Sequence, residues 1–214
     1  MPDYHIALEA DQYYHIYNRA VGKEKLFIEE ENYSFFLRGF IKYLSPIIET
    51  YSWCLLPNHF HFVTRVKSTS VIREYFKIMK PAKQHAFYDE GDFIMERFSN
   101  FFNSYVKSLN KKYNRKGGLF IDYMRRVCIK DDDQLCATIF YIHKNPVHHG
   151  LCKKLENWKW SSYCTILSKA HTNLSRQEVV NLFGGLNYYI EYHKQKIEVK
   201  KNISIEYAPR PIRF

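Results

Sequence analysis

The chain contains 214 residues, of which 46% are hydrophobic and 17% aromatic, and it carries a formal net charge of +10. The hydrophobic fraction is ample for a core, and the length suits one domain or a domain with an appendage. The basic balance favours a polyanionic partner, either nucleic acid or an anionic membrane surface. No apolar stretch approaches the length of a membrane span and the N-terminus lacks a signal-peptide pattern, so we expect neither a membrane-spanning nor a secreted protein.

The cysteine pattern gives a second indication of the compartment. Five cysteines are an odd number, and none of them belongs to a Cys-x-x-Cys pair. We therefore expect free thiols in a reducing cytoplasm and no zinc site built from cysteine.

Hydrophobic periodicity predicts strands and helices in alternation along the first third of the chain. A short strand is expected at 13–18, followed by a helix that begins after the acidic run 29–31 and ends near Tyr43. Two β-rich runs, 47–55 and 59–66, are separated by a turn and predict a hairpin. The helix should bury Phe35, Phe36, Phe40 and Leu44.

The middle of the chain predicts two more helices and a further strand. One helix should run from Ser70 to about Gln84, and a second from Phe93 to about Tyr113. An extended segment follows, with a strand near 125–129. The first of these helices should carry Val71, Tyr75, Ile78 and Met79 together on one side.

The second strand of the hairpin begins with a His-Phe-His pattern. Residues two apart on a strand point to the same face, so His59 and His61 project together while Phe60 and Phe62 face the core. Two imidazoles that converge from one face can ligate a metal ion. Two histidines on a solvated strand face would have the same spacing, and the pattern alone leaves both interpretations open.

A helix further along the chain carries the second chemical pattern. The run Asp131–Asp133 can cap its N-terminus, and Pro146 should end it at the preceding residue or the one before. Tyr141 and Asn145 are four residues apart and share a face, so a phenol and a carboxamide leave the helix side by side. An ordinary half-buried tyrosine and a C-terminal asparagine would look the same. The apolar stripe of this helix consists of Leu135, Ile139 and Ile142.

Two other side chains compete for a chemical role. His143 lies two residues after Tyr141 and points about 200° away from it on a helix, so a structural role or a DNA contact suits it better than that of a base. Tyr105 lies on a basic helix, but it has no polar partner that corresponds to Asn145.

These motifs, in this order, resemble the HUH-type single-tyrosine transposases, and they are most similar to the REP-associated tyrosine transposase branch. HUH denotes two histidines around a hydrophobic residue, as at 59–61. The resemblance covers residues 13–163. The matching segments are Tyr-His-Ile-Tyr-Asn-Arg-Ala-Val at 14–21, Pro-Asn-His-Phe-His-Phe at 57–62, the stretch 110–120, Tyr-Ile-His-Lys-Asn-Pro-Val at 141–147 and Trp-Ser-Ser-Tyr at 160–163.

The predicted element order is strand, helix, strand, strand, helix, strand, which is a split βαβ, ferredoxin-like pattern. The resemblance implies the same α+β fold, an antiparallel sheet with helices on one face, to which the tyrosine-bearing helix is added. The family usually has one compact helix where this chain has 80–95, so an insertion is expected there. We predict a transposase-like domain at 1–168 and a helical C-terminal extension at 169–214, with helices at 175–183 and 187–201.

The resemblance also implies a reaction. A tyrosine oxygen attacks a DNA phosphodiester, holds the 5′ phosphate as a phosphotyrosine and releases a 3′ hydroxyl. Tyr141 would be the nucleophile, and His59, His61 and Asn145 would ligate Mg²⁺ or Mn²⁺, since the family has Gln or Asn at the last position. Ligand chemistry by itself leaves Zn²⁺ open. The implied substrate is single-stranded DNA, often folded as a hairpin.

Basic residues indicate where DNA would bind. Lysine and arginine neutralise phosphates, and interleaved tyrosines can stack on unpaired bases. A solvated helix face with extended lysine side chains would show the same composition. The predicted DNA contacts are Arg19, Lys107, Lys111, Lys112, Arg115, Lys116, Arg125, Arg126, His148 and His149.

Three functions follow from this pattern. The first is a DNA transposase-type enzyme, a monomer or homodimer in the cytoplasm of a bacterium, bound to the nucleoid when on DNA. The second is a catalytically silent, domesticated protein that binds DNA hairpins. The third is a metal-dependent phosphoesterase that uses water, in which Tyr141 has no covalent role. Retention of His59, His61, Tyr141 and Asn145 together favours the first.

Overall fold

A computed structural model describes residues 5–83 and 89–195. The helices and strands follow the predicted order, and two single turns of 3-10 helix accompany them at Pro81–Lys83 and Leu155–Asn157. In the described residues the elements are β1 (Tyr13–Arg19), α1 (Glu30–Leu44), β2 (Ile48–Leu56), β3 (His59–Val66), α2 (Thr69–Met79), α3 (Glu90–Lys112), β4 (Arg125–Ile129), α4 (Asp132–His148), α5 (Tyr163–Leu167), α6 (Arg176–Leu182) and α7 (Leu186–Lys194).

The four strands form one sheet in the order β2-β3-β1-β4, and every neighbouring pair is antiparallel. This is the strand order of a ferredoxin-like split βαβ fold, in which β1 and β3 are the central strands. In the register of the central pair, Tyr17 lies opposite His61 and Arg19 lies opposite His59. The predicted α+β fold class is therefore confirmed.

One face of the sheet is covered by α1 and α3 and holds an aromatic core. Phe40 stacks on Phe62 with 4.0 Å between the ring centroids, and Phe36 lies 5.2 Å from Phe60. A Cβ atom on Gly39 would lie 3.0 Å from the Phe101 ring, so glycine at this position permits the close approach of α1 to α3. Because side chains alternate along a strand, Phe60 and Phe62 of β3 both point to this face.

The opposite face is covered by α4, so the helices do not all lie on one side. The predicted stripe of Leu135, Ile139 and Ile142 is buried there against β2 and β3. Val179 of α6 and Tyr189 of α7 are fully buried in the same cluster. The helical C-terminal extension thus packs on the tyrosine-bearing helix and shares its core.

Helix α4 does not end before Pro146, as the sequence predicted, but continues to His148. Proline removes one backbone donor, yet the surrounding bonds still form, since the amides of His149 and Leu151 donate to the carbonyls of Asn145 and Pro146 at 2.9 and 2.8 Å. Pro146 is itself buried, and its packing offsets the lost bond. The extra turn brings His149 alongside Asn145.

Two predictions about the helices are wrong. Helix α2 ends at Met79 rather than near Gln84, and it buries Ile72 and Phe76, whereas Ile78, on the apolar side named from the sequence, is 73% exposed. The segment carries two apolar stripes, and contact with α3, where Phe76 meets Phe93 at 5.1 Å, selects one of them. In α1, Phe35 is also partly exposed, at 37%.

The predicted continuation of α7 beyond Gln195 lies outside the described residues, as does the segment 84–88 in the region of the expected insertion. In the residues that the structure describes between β3 and β4 there are two α-helices, α2 and α3. Of the helices in the described ranges, none is long and apolar enough to cross a bilayer.

Candidate active site

The candidate site lies between β3 and α4, on the sheet face opposite the aromatic core. Strand alternation sends His59 and His61 toward this face, where they are only 8% and 3% exposed. Their rings lie edge to face, with 5.2 Å between the centroids. The predicted convergence of the two imidazoles is present, and it occurs in a buried place rather than on a solvated strand face.

One face of α4 runs along these histidines. Tyr141, Asn145 and His149 follow each other at intervals of one helical turn. The Tyr141 ring lies 6.0 Å from the His61 ring, and the His149 ring lies 5.1 Å from the His59 ring. Asn145 stands between them on the helix, so strand and helix bring the four predicted residues of the chemical site together.

The site contains buried polar atoms whose bonding capacity is unused. His59 Nε2, His61 Nε2 and Asn145 Oδ1 are buried and have no hydrogen-bond partner among the described residues, and the same holds for His149 Nε2. Leaving such an atom without a partner costs about 1–3 kcal/mol each. Imidazole nitrogens and amide oxygens are metal ligands, so the first three atoms suit a cation. Within residues 5–83 and 89–195 no group of three His, Cys, Asp or Glu side chains could hold a metal ion, and this set consists of two imidazoles and an amide.

Burial sets the protonation of these groups. Desolvation lowers the pKa of His59 to about 3 and places the pKa of His61 well below its usual value. Both imidazoles are therefore neutral, which is the form that ligates metals. Burial raises the pKa of the Tyr141 phenol, and its contact with the Asn145 amide acts in the opposite direction. The phenol is thus a weak nucleophile without further activation.

Two neighbours of the histidines were not predicted from the sequence. His15 of β1 lies 2.9 Å from His61 through its Nε2 and the His61 Nδ1 atom. Asn58 Oδ1 lies 2.7 Å from His59 Nδ1. Strand alternation places His15 on the same sheet face as Tyr17, and Tyr17 lies opposite His61 in the register of β1 and β3. The ferredoxin-like order predicts that β1 pairs with β3, but it does not set the register that brings His15 to His61.

The predicted DNA-binding residues differ in exposure and in whether their side chains already form ion pairs within the protein. Arg19 is half-buried beside His59, and Lys107, Lys111 and Lys116 are exposed. Lys112 forms ion pairs with Glu29 and Glu31, and Arg115 forms one with Glu24. The exposed Lys112 pairs contribute little to stability. The Arg115 side chain is only 18% exposed and also bonds Asn110, so it is held more firmly.

The remaining predicted contacts separate into buried and exposed positions. The Arg126 guanidinium is buried and donates to the backbone carbonyls of His5, Ile6 and Met124, so the geometry favours a structural role for it. Arg125 is half-buried, His148 is exposed and His149 lies in the site described above.

The rival nucleophile Tyr105 is buried in the aromatic core, where its hydroxyl donates to the Leu26 carbonyl. Burial also raises the pKa of this phenol. His143 is 1% exposed and bonded on both ring nitrogens, which agrees with a structural role. Neither side chain faces the candidate site.

Comparison with known proteins places the chain near one branch of transposases. No protein-family model matches it. Over 118 residues it is 25% identical to a Haemophilus influenzae protein provisionally named a REP-associated tyrosine transposase. That match covers 54% of this chain and 58% of the relative, so the chain spans little more than half the length of the curated relative it matches.

A solved structure gives an independent comparison. A REP-associated tyrosine transposase bound to a REP hairpin aligns with a TM-score of 0.56 and 16% identity, over 79% of this chain and 87% of that chain. Identity at this level shows the fold alone, and the fold agrees with the sheet order described above. The chain is therefore similar in both sequence and fold to the REP-associated tyrosine transposases, which confirms the resemblance predicted from its motifs.

Proposed function

We propose that this protein is a metal-dependent DNA strand transferase that cuts and rejoins single-stranded hairpin DNA through Tyr141. The observation that carries the proposal is that Tyr141 contacts Asn145 and lies 6.0 Å from the His61 ring, where His59 Nε2, His61 Nε2 and Asn145 Oδ1 are buried without a described partner. A protein that only bound DNA would have no use for this arrangement, since each unpartnered atom costs stability.

The metal site would consist of His59 Nε2, His61 Nε2 and Asn145 Oδ1. Two neutral imidazoles and an amide oxygen can ligate a divalent cation, and ligand chemistry by itself would also allow Zn²⁺. The family resemblance favours Mn²⁺ or Mg²⁺. When bound, the cation supplies polarisation and alignment of the scissile phosphate. Three protein ligands leave coordination positions for phosphate oxygens.

Tyr141 would supply the covalent step. Its phenol oxygen forms a bond to phosphorus and gives up its proton, while the bond from phosphorus to the 3′ oxygen breaks and that oxygen takes up a proton. The 5′ phosphate remains on the tyrosine, so the energy of the phosphodiester is kept for rejoining. Because burial raises the phenol pKa, Tyr141 would be held unreactive until substrate and cation are both present.

The proposed partner is a DNA hairpin. The aligned structure is of a transposase bound to a REP hairpin, and this chain has a net charge of +10. Arg19 beside His59 is positioned for the phosphate nearest the reaction, whereas Lys107, Lys111 and Lys116 would contact more distant backbone. Such a partner implies work at the bacterial nucleoid.

The test is incubation of labelled single-stranded hairpin DNA, taken from the regions flanking the gene, with wild type and Tyr141→Phe. Each protein is assayed with Mn²⁺ or Mg²⁺ and again with EDTA. We expect a denaturant-resistant protein–DNA adduct that disappears in Tyr141→Phe and with EDTA. Tyr188→Phe, which alters a 69% exposed tyrosine in α7, is the matched control and should form the adduct normally.

Each of the other outcomes would favour a different function. Cleavage that survives Tyr141→Phe would show that water is the nucleophile and that the protein is a phosphoesterase. Hairpin binding without cleavage in any metal would favour the catalytically silent binder. Adduct formation in the presence of EDTA would contradict the proposed metal dependence.

A further inference from the structure

Each of the two candidate histidine ligands, His59 and His61, has one ring nitrogen near a polar neighbour and the other without a described partner. His59 Nδ1 lies 2.7 Å from the amide oxygen of Asn58, and His61 Nδ1 lies 2.9 Å from His15 Nε2. The two Nε2 atoms are the buried atoms without a partner in the described part of the chain. A histidine can bind a metal through Nε2 only when that nitrogen carries a lone pair, so the position of the single ring proton matters.

The position of the proton on His59 follows from its neighbour. An amide oxygen only accepts hydrogen bonds, so Nδ1 must carry the proton and donate it to Asn58. The lone pair then lies on Nε2, toward α4. Asn58 is held in the turn between β2 and β3, where its own carbonyl accepts from the Ala20 amide at 2.8 Å.

The proton on His61 has two possible arrangements, because both atoms of the bond are ring nitrogens. If His15 donated, His61 would carry its proton on Nε2 and bury an N–H group that has no described partner. If His61 donates, Nε2 keeps a lone pair and the His15 proton moves to its own Nδ1, which is not among the buried unpartnered atoms. The second arrangement avoids an orphaned buried donor and costs less.

We propose that Asn58 and His15 are positioning residues that hold His59 and His61 in the Nδ1–H tautomer, with both Nε2 lone pairs directed into the candidate metal site. Their use for metal binding rests on the proposed function, whereas the tautomers themselves exist in the metal-free protein. Neighbours that fix a ligand histidine in this way commonly contribute 10–100-fold to metal affinity.

The packing around His15 supports a fixed geometry. Its ring centroid lies 4.8 Å from that of Tyr17 and 5.2 Å from that of His61, and the His61 ring is inclined to it by only 26°. The pairing of β1 with β3 sets Tyr17 opposite His61, so the backbone hydrogen bonds between these strands fix the position of His15 relative to His61. His15 also meets Tyr141 edge to face at 6.5 Å, so the orienting residue contacts nucleophile and ligand together.

The first measurement is long-range proton–nitrogen NMR of ¹⁵N-histidine-labelled, metal-free wild type, which distinguishes the two tautomers of each ring. We expect Nδ1–H at both His59 and His61. An Nε2–H signal at either residue would overturn the assignment for that residue. Because the wild type alone answers this question, the result does not depend on whether any variant folds.

The second measurement is Mn²⁺ affinity by calorimetry. His15→Phe removes the acceptor and should weaken binding about 10–100-fold, while His15→Gln places an amide oxygen near the lost Nε2 and should stay within a few-fold of wild type. Asn58→Leu and Asn58→Asp form the corresponding pair at His59. His171→Phe, at an exposed histidine, is the matched control and should bind like wild type.

The two readouts separate this inference from the proposed function. Unchanged His61 tautomer and Mn²⁺ affinity in His15→Phe would overturn the positioning role of His15. Wild type that shows both expected tautomers but binds no Mn²⁺ would support the tautomer assignment and contradict the metal-dependent function.

Discussion

Two buried pairs of histidines in the described residues, one on β3 and one that joins α4 to α7, differ in how their nitrogens are used. The ligand pair, His59 and His61, leaves both Nε2 atoms without a described partner. The anchoring pair, His143 and His193, uses every ring nitrogen. The two rings bond each other at 2.9 Å, and their remaining nitrogens bond Ser162 Oγ at 2.8 Å and the Tyr189 carbonyl at 2.8 Å.

Burial does not distinguish the two pairs, because all four side chains are less than 10% exposed. Unused hydrogen-bonding capacity does distinguish them. A saturated buried network stabilises the fold, and here it links α4 to α7 and so holds the C-terminal extension on the tyrosine-bearing helix. An unsaturated network costs stability, and the proposed metal ion would provide the missing partners of the ligand pair.

The largest expected effect comes from the unsaturated site. Asn145→Leu replaces an amide whose oxygen has no described partner with an apolar side chain of similar size. We expect metal-dependent cleavage of hairpin DNA to fall by about two orders of magnitude or more, since the proposed ligand to the cation is lost. The free energy of unfolding should change by less than about 1 kcal/mol, because removal of the unpartnered oxygen offsets the lost bond from Asn145 Nδ2 to the Tyr141 carbonyl. The measurements are adduct formation and urea unfolding.

The matched control for this change is Asn181→Leu, at an exposed asparagine of α6. It should leave cleavage at the wild-type level. Cleavage by Asn145→Leu at the wild-type rate would remove Asn145 from the proposed ligand set.

The anchoring pair should behave in the opposite way. His143→Leu removes a ring that bonds on both nitrogens and leaves the Ser162 hydroxyl and His193 Nε2 with fewer partners. We expect the free energy of unfolding to fall by about 1–3 kcal/mol, with cleavage per folded molecule nearly unchanged. His148→Leu, at an exposed histidine of the same helix, should unfold like wild type. Equal stability of His143→Leu and wild type would contradict the structural role.

A smaller effect is expected from pH. Burial lowers the pKa of His193 from 6.5 to about 4, so between these values the unfolded chain binds a proton that the folded protein does not. The free energy of unfolding should therefore be at its full value above pH 6.5 and fall as the pH drops toward 4. His193 alone contributes about 1.4 kcal/mol per pH unit in this window.

The comparison variant is His193→Gln, which cannot titrate in this range. The slope of its unfolding free energy against pH should be smaller than that of wild type by the amount that corresponds to one bound proton. The other buried histidines titrate alike in both proteins. Parallel curves for the two proteins between pH 4 and 6.5 would mean that His193 is not held neutral by the fold.

Local periodicity in the sequence determined most of the elements and the orientation of the chemical residues. Alternation along a strand is sufficient to place His59 and His61 on one face, and a spacing of four is sufficient to align Tyr141 with Asn145. The β2–β3 hairpin and the α4 stripe were predicted on the same basis. These features depend on neighbours within a few residues, and the backbone geometry of helices and strands sets their period. The ferredoxin-like strand order was predicted differently, from the order of the elements along the chain and from the family resemblance.

Tertiary structure decided which groups meet and which remain unpartnered. The bond between His15 and His61 joins residues 46 apart, and that between His143 and His193 joins residues 50 apart, so neither has a local signal. Packing likewise chose one of two apolar stripes on α2, extended α4 past Pro146 and drew Arg126 into the interior. The sequence by itself specified the side chains of the site, whereas the distinction between a saturated and an unsaturated histidine arises only from contacts between distant segments.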